Sequence, residues 1–536
     1  MIRPRLVTLA IAVSLATATM AHAKTYSVKK GGNLDTIQAG VDAAKAGDVV
    51  VVHPGLYLET VTIPFAKEGL TMRSKTPGKA VLDARGPAGA GRGPALRIQA
   101  ADVTLDGFVV QNAAVSPTNV DGIGIYVTTP GVRIKRCVSR GHVSIALLAI
   151  NATGLRVEQS TFSDGLSDGI AVAGDDVKLT KVTVRNVAGV GISISGDGAK
   201  VTQCTVATTA SLAVQLDGDD GVIAKTDVLG SYGPGIQVTG DFVTVVKSRV
   251  LGAKAEGLHV TGSSARLTDN RIEDIEADGV VVIGDATTAD GNRIEGVDGF
   301  GLSLDGAGVV AEKNLIVGTT SYGLDVDGAS AVVCDNTVER TNGYNINVSG
   351  ADPTVTGNDC RFALDEYSGI SCGGGASSGL IRNNRVTDAS DYGITLSTQS
   401  ANFVIEKNQV DRCGNYQEAG FRIRGAGHVL RKNDADDCSG DGFYVMADGV
   451  TLDDNRARGN GRDGIDVDGG SGNTVRKNLA SGNGAEGIEN NGSSTDVHGN
   501  VMKRNRIDFA NDGTLSTFHS NAVADGSGAA TSPEID

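Results

Sequence analysis

The chain has 536 residues, 74 of them glycine, no tryptophan, 4% aromatic residues and a formal net charge of −15. That charge argues against nucleic acid or an anionic membrane as partner, though a cation or a local basic patch can still bring an acidic polymer to an acidic protein. A core drawn from Val, Ile, Leu and Ala with few rings suits many thin, similar layers better than one globular centre, so length alone does not imply several domains.

Residues 1–23 read as a signal peptide. Arg3 and Arg5 precede the apolar run from Leu6 to Ala21, and Ala21-His22-Ala23 supplies a small-x-small cleavage pattern. The expectation is export, with a mature chain starting at Lys24 in the periplasm or outside the cell. The later sequence has no apolar stretch long enough to span a bilayer. Residues 24–100 are expected to form an N-terminal cap and the first irregular coils. Leu34, Ile37, Val41 and Ala44 stand at helical spacing, and Gly47 stops the helix.

From 101 to 510 the chain repeats. A Gly followed by an apolar residue recurs every 22 residues at Gly235, Gly257, Gly279, Gly301 and Gly323. The register continues through Asn345, Gly369, Gly393, Gly420, Gly442, Gly464 and Gly487, and backwards through Ser211, Gly191, Gly169, Ser144 and Gly124. Within a coil, Gly235–Val238, Val243–Val246 and Ser248–Val250 alternate with period two, so each is a short strand. Strands this short must pair with their equivalents one repeat later, in parallel and about 4.8 Å away. The fold expected is all-β: a right-handed parallel β-helix of about 20 coils with a short N-terminal capping helix. A second register runs through Asn270, Asn292, Asn314, Asn336, Asn358, Asn384, Asn408, Asn433, Asn455, Asn478 and Asn500. Stacked asparagines can hydrogen-bond from coil to coil, so these are assigned to structure. Residues 511–536 lose the repeat and are expected to be a cap followed by a disordered tail.

The stretch YSVKKGGNLDTIQAGVDAAKAGDVVVVHPGLYLETVTI carries a resemblance. Its helix (Ile37–Ala44), Gly47-Asp48 turn, strand (Val49–Val52) and Pro54-Gly55-Leu56-Tyr57 turn are similar to the start of many secreted proteins of the pectin-lyase-like superfamily. That resemblance implies the β-helix fold over nearly the whole mature chain. It leaves activity open, because the superfamily holds lyases, polygalacturonases, alginate epimerases, phage tailspikes and non-catalytic surface proteins. The Asp-Pro-His-Asp run of mannuronan epimerases is absent, and Asp219-Asp220 and Arg133-Ile134-Lys135 occur in the wrong order for a polygalacturonase. Asp175-Asp176 and Asp219-Asp220 occupy the same turn and read as turn chemistry.

If a site exists, it should lie in the outward slots of the strand after each repeat Gly, two and four positions on. One stretch runs through His259, Ser303, Asp305, Asp325, Asp327 and Asn347; Asp305 and Asp327 share a slot on adjacent coils. The three aspartates are candidate calcium ligands, and His259 and Asn347 candidate substrate-binding groups. A second stretch holds Arg422 and Arg424, Tyr444, then Asp466 and Asp468, beside an insertion bearing Tyr416 and Glu418. Arg422, Arg424, Tyr444 and Asp466 are the types an acid–base reaction on a glycan needs, with Tyr416, Glu418 and Asp468 as substrate contacts. A ladder of exposed ion pairs is the alternative. Cys413 and Cys438 stack on adjacent coils and are expected to be disulfide-bonded or in contact as thiols; Cys360 and Cys372 fall on inward positions. The composite expectation is a monomer engaging a polysaccharide, acidic in one version, as a lyase, epimerase or hydrolase on uronate-containing glycans. The alternative is a non-catalytic carbohydrate-binding or surface protein of the same fold.

Overall fold

The computed structural model describes residues 22–85, 93–114 and 122–524. The expected signal peptide up to Ala21 and the tail from Asp525 lie outside the described residues. The described chain is a right-handed parallel β-solenoid of 63 short strands and one α-helix. Each coil contributes one strand to each of three sheets. In the coil that starts at Gly235 these are Ile236–Thr239 (sheet I), Thr244–Val246 (sheet II) and Arg249–Ala253 (sheet III). Sheet II runs through 22 strands. Pairing is parallel and in register from coil to coil, as in Ile236↔Leu258 and Val238↔Val260.

The burial pattern follows the period-two alternation. In sheet I strands such as Leu302–Asp305, Leu302 and Leu304 are buried while Ser303 and Asp305 are not. The inward residues of all three sheets merge into one continuous core. The repeat Gly is there because the chain packs against itself: a Cβ on Gly301 would sit 2.5 Å from the Gly323 carbonyl oxygen and 2.4 Å from Ile316. A side chain at that corner would push the coils apart.

The asparagine ladder supplies the polar seam. Asn314 Oδ1 accepts from the backbone N–H and the side-chain amide of Asn292, each at 3.0 Å. The Asn314 amide in turn donates to Ala289 O and to Asn336 Oδ1, each at 2.9 Å. The same slot carries Ser248 and Thr226 in earlier coils. The doublets assigned to turns do serve the turns: the N–H groups of Asp197 and Asp241 donate to the carboxylates of Asp175 and Asp219.

Both ends differ from the sequence expectation. The capping helix spans Ile37–Ala43, so Leu34 lies before it and Ala44 is its C-cap. Thr36 Oγ1 caps Ala39 N, and the Glu59 carboxylate accepts from the N–H groups of Ile37 and Gln38. Strand pairing begins already at Thr25–Val28, against Val49–Val52. At the far end the repeat does not stop at 510. Thr517–His519 and Ala522–Ala524 add two more strands, with Asn521 extending the ladder beyond Asn500 and Phe518 stacked on Phe509 at 3.9 Å.

Candidate functional site

Sheet I is where the outward slots lie, and its first stretch proves ordinary. Ser303↔Asp325↔Asn347 and Asp305↔Asp327↔Ser349 form two in-register columns. Asn347 donates to Asp325 at 2.8 Å and Ser349 to Asp327 at 2.8 Å. Burial raises the pKa of Asp325 despite the Asn347 hydrogen bond. Asp305, Asp325 and Asp327 are not among the groups of three whose ligand atoms converge within 4.8 Å. The three carboxylates therefore do not converge as a set, because residues two apart on a strand are separated by a pleat and two of them turn to partners on the next coil. His259 sits coils away, beside Glu256.

The second stretch gathers real chemistry. Thr395, Arg422, Tyr444, Asp466 and Glu489 form one outward column on successive coils. Asp466 is 3% exposed, and its Oδ1 has no hydrogen-bond partner. Burial, with Asp441 and Glu489 nearby, pushes its pKa up to about 8. Asp468 departs from the expected slot. Val445 pairs with Val467, but Met446 pairs with Gly469, leaving Asp468 as the extra residue of a bulge. There its carboxylate accepts from Tyr444 Oη at 2.7 Å. Burial and this carboxylate raise the Tyr444 phenol pKa.

Arg422 lies over the Tyr392 ring, 4.4 Å from its centroid, with its Nε unpartnered. Arg424 faces outward one pleat on, paired with Met446 across the coils, while its carbonyl accepts from His428. In the inserted loop, Tyr416 is 76% exposed, and Glu418 closes its own turn by accepting from Tyr416 N at 2.6 Å.

The sequence reading missed the turn column directly before the repeat Gly. Asp441, Asp463 and Glu486 precede Gly442, Gly464 and Gly487. Asp441, Asp463 and Asp466 are all buried and bring one carboxylate oxygen each within 4.8 Å of the others. Asp441 Oδ1 accepts from Asp463 N at 3.0 Å and Asp463 Oδ1 from Glu486 N at 2.6 Å. Arg462 stands 3.8 Å from both Asp441 and Asp463. Burial raises the pKa of Asp441 and of Asp463, the latter further through its side-chain contact with Glu486. Tyr392, Gln417, Ala419, Asp441, Tyr444 and Arg462 line a cleft of about 190 Å³ over this cluster. Acidic residues at three successive pre-Gly positions were the available signal.

The same turn column carries rings in earlier coils. Phe300, Tyr322, Tyr344 and Tyr367 follow one another at centroid distances of 5.3, 5.0 and 5.1 Å, half-buried, and Tyr392 continues the column toward the carboxyl cluster. A larger cleft of about 340 Å³ on sheet III, lined by Arg385, Asp411, Asp434, Asp436 and Arg458, is a different kind of surface. Its Arg458 and Asp436 pair at 2.6 Å in the open, the ion-pair ladder weighed above.

Cys413 and Cys438 are free buried thiols, not a disulfide. In a parallel stack the two Cα–Cβ bonds point the same way, so Cβ separation stays near the coil spacing, longer than the ~3.8 Å a disulfide favours. Their contact pushes the Cys413 pKa well up. They begin a second polar ladder, since Cys438 N donates to Asn460 Oδ1, followed by Asn483 and Asn505. Cys360 and Cys372 are core residues, as expected.

The family model for the right-handed β-helix region matches residues 123–294, 234–377, 300–416 and 405–529, together well over half of the chain. The chain belongs to this family. No curated protein matches it. Among solved structures the β-helix is similar to the A-module of mannuronan C-5 epimerase AlgE4 from Azotobacter vinelandii, at 14% identity over 73% of this chain and 93% of that chain, with a TM-score of 0.33. It is also similar to tailspike protein gp49 of the Acinetobacter baumannii bacteriophage Fri1, a capsular polysaccharide depolymerase, at 12% identity over 52% and 58% of the two chains, TM-score 0.36. A double mutant of the periplasmic alginate epimerase AlgG gives 12% identity over 80% and 85%, TM-score 0.25. Likeness at this level assigns no activity to the β-helix. Among the described residues, no helix is long and apolar enough to cross a membrane.

Proposed function

We propose that this β-helix cleaves a glycosidic bond by acid catalysis at the Asp441–Asp463–Asp466 cluster. The observation that carries the reading is Asp466: a buried carboxyl, one oxygen unpartnered, its pKa pushed up to about 8, beside Asp441 and Tyr444, which line the cleft. A carboxyl kept neutral at working pH is what a general acid must be. In this scheme Asp466 gives its proton to the glycosidic oxygen as the C–O bond breaks. Asp441, with Arg462 beside it and a backbone N–H on its oxygen, is the carboxylate that attacks the anomeric carbon. Water, deprotonated by Asp466, then releases the sugar. Carboxylate oxygens within 4.8 Å of one another fit the ~5–5.5 Å separation of the retaining geometry better than the ~6.5–9.5 Å of the inverting one.

The substrate class follows from charge. Asp305, Asp325, Asp327, Asp468 and Glu489 line sheet I, while Arg422 is stacked on Tyr392 and Arg462 is flanked by two aspartates. A uronate would meet repulsion along most of that face, so a neutral polysaccharide is favoured, with the aromatic column offering ring faces and edges along its path. The test is incubation of the protein with neutral glucans, galactans and mannans, and with alginate and pectate. New reducing ends from a neutral glycan, retained anomeric configuration and loss of both in Asp466→Asn support the reading. Unsaturated products from a uronate polymer, or cleavage undiminished in Asp466→Asn, would overturn it.

A further inference from the structure

On sheet II, away from the carboxyl cluster, the last coil carries a group with no part in that chemistry. Strand Asp496–His498 pairs with Thr517–His519 in register, Asp496↔Thr517 and His498↔His519. Period-two alternation puts Asp496 and His498 on one outward face, and the pairing sets His519 beside them. The two imidazole rings lie parallel, 2° apart in plane and 5.0 Å between centroids. His498 Nδ1 is 3.2 Å from Asp496 Oδ2, and His519 Nε2 is 3.4 Å from Asp496 Oδ1. One ligand atom from each of the three residues falls within 4.8 Å of the other two. His498 Nδ1 is also shielded from solvent and makes no hydrogen bond, despite its closeness to the carboxylate. Arg476, in the same column one coil before, is turned to Asp453 at 3.1 Å, so it does not fill the space.

We propose that Asp496, His498 and His519 bind one divalent transition-metal ion, with zinc the best fit, and that the ion clamps the last coil to its neighbour. Two imidazoles and one carboxylate suit zinc, copper or nickel rather than the all-oxygen shells of calcium and magnesium. Three protein donors leave one zinc position for water. The placement explains what the ion does. Thr517 and His519 are exposed, and among the described residues no further strand pairs this edge of the sheet. Holding that coil otherwise are its backbone pairing, the Ser516 contacts to Asn490, Thr495 and Gly492, the Phe509–Phe518 stack, the Asn521 ladder contacts and a Thr517 hydroxyl bond to Asp496. An ion shared between these two coils adds a crosslink across the pairing and stabilises the folded coil by mass action.

The experiment is calorimetric titration of zinc chloride into metal-stripped full chain without a histidine tag, beside His519→Ala and a calcium chloride control. Amide exchange of residues 517–524 is followed with and without zinc. The expected result is one saturable zinc site, weakened ~10–100-fold or lost in His519→Ala, with slower exchange in the last coil and no comparable calcium binding. His519 is exposed, so its removal leaves the fold intact. Absence of saturable zinc binding, zinc affinity unchanged in His519→Ala, or faster exchange at 517–524 on adding zinc would each overturn the proposal.

Discussion

The coils from Gly169 to Asn347 and those from Ser390 to Asn490 share one architecture and differ in how they treat polar groups. In the first region the repeat holds at or near 22 residues, the Asn and Asp slots are filled in register, and carboxylates such as Asp325 and Asp327 meet partners on the next coil. In the second, insertions and a bulge break the period. Among the described residues, the buried side-chain atoms without a hydrogen-bond partner all lie at or after residue 382, apart from Thr287 and Asn345. An unpaired buried polar atom costs about 1–3 kcal/mol, so the second region gives up more stability in this way than the first. Two of these atoms, Arg422 Nε and Asp466 Oδ1, lie in the outward column beside the cleft.

The comparison can be broken most sharply at Asp466. Asp466→Asn keeps the shape but removes the proton donor, and cleavage should fall by ~10²–10⁴-fold, measured as reducing ends released. Its counterpart in the regular region is Asn314→Ala. That change strands the backbone N–H and amide of Asn292, both of which donate to Asn314. It should destabilise the chain by about 2–4 kcal/mol in urea unfolding, leaving any cleavage rate of the folded fraction unchanged.

A third prediction concerns pH. Folded Asp466 keeps its proton to about 8, whereas the ordinary value is 3.8. Between those values the folded chain holds more protons than the unfolded one, so this residue makes stability fall as pH rises from about 4 to about 8, with no further loss above. Melting curves of wild type and Asp466→Asn across that range should diverge, the variant losing less as pH rises. Smallest of all, Arg458→Ala removes an exposed ion pair in the larger cleft of sheet III and should cost no more than about 1 kcal/mol, with cleavage untouched.

Much of this was legible before any coordinates. The repeat Gly, the inward Ile and Val residues and the asparagine slot are periodic, and a parallel stack converts period directly into position. Arg422, Tyr444 and Asp466 were placed on one column for that reason. What escaped has specific causes. Asp441 and Asp463 sit in a turn, where alternation says nothing about direction. A bulge, which no spacing announces, moved Asp468 toward Tyr444. Coil spacing alone put Cys413 and Cys438 within disulfide range, but side-chain direction in a parallel ladder leaves them in contact as thiols. The last coil was overlooked because its spacing shortens to 21 residues between Asn500 and Asn521.

The central claim, a carboxyl held neutral at the cleft, can be tested without knowing the glycan. Infrared difference spectra of the protein across pH 6 to 10 should show a carboxylic acid C=O band that disappears with a midpoint near 8 in the wild type. In Asp466→Asn the band should shrink, the remainder belonging to Asp463, whose pKa is also pushed up to about 8. A wild-type spectrum in which no carboxyl titrates above pH 6, or a band unchanged in Asp466→Asn, would contradict it.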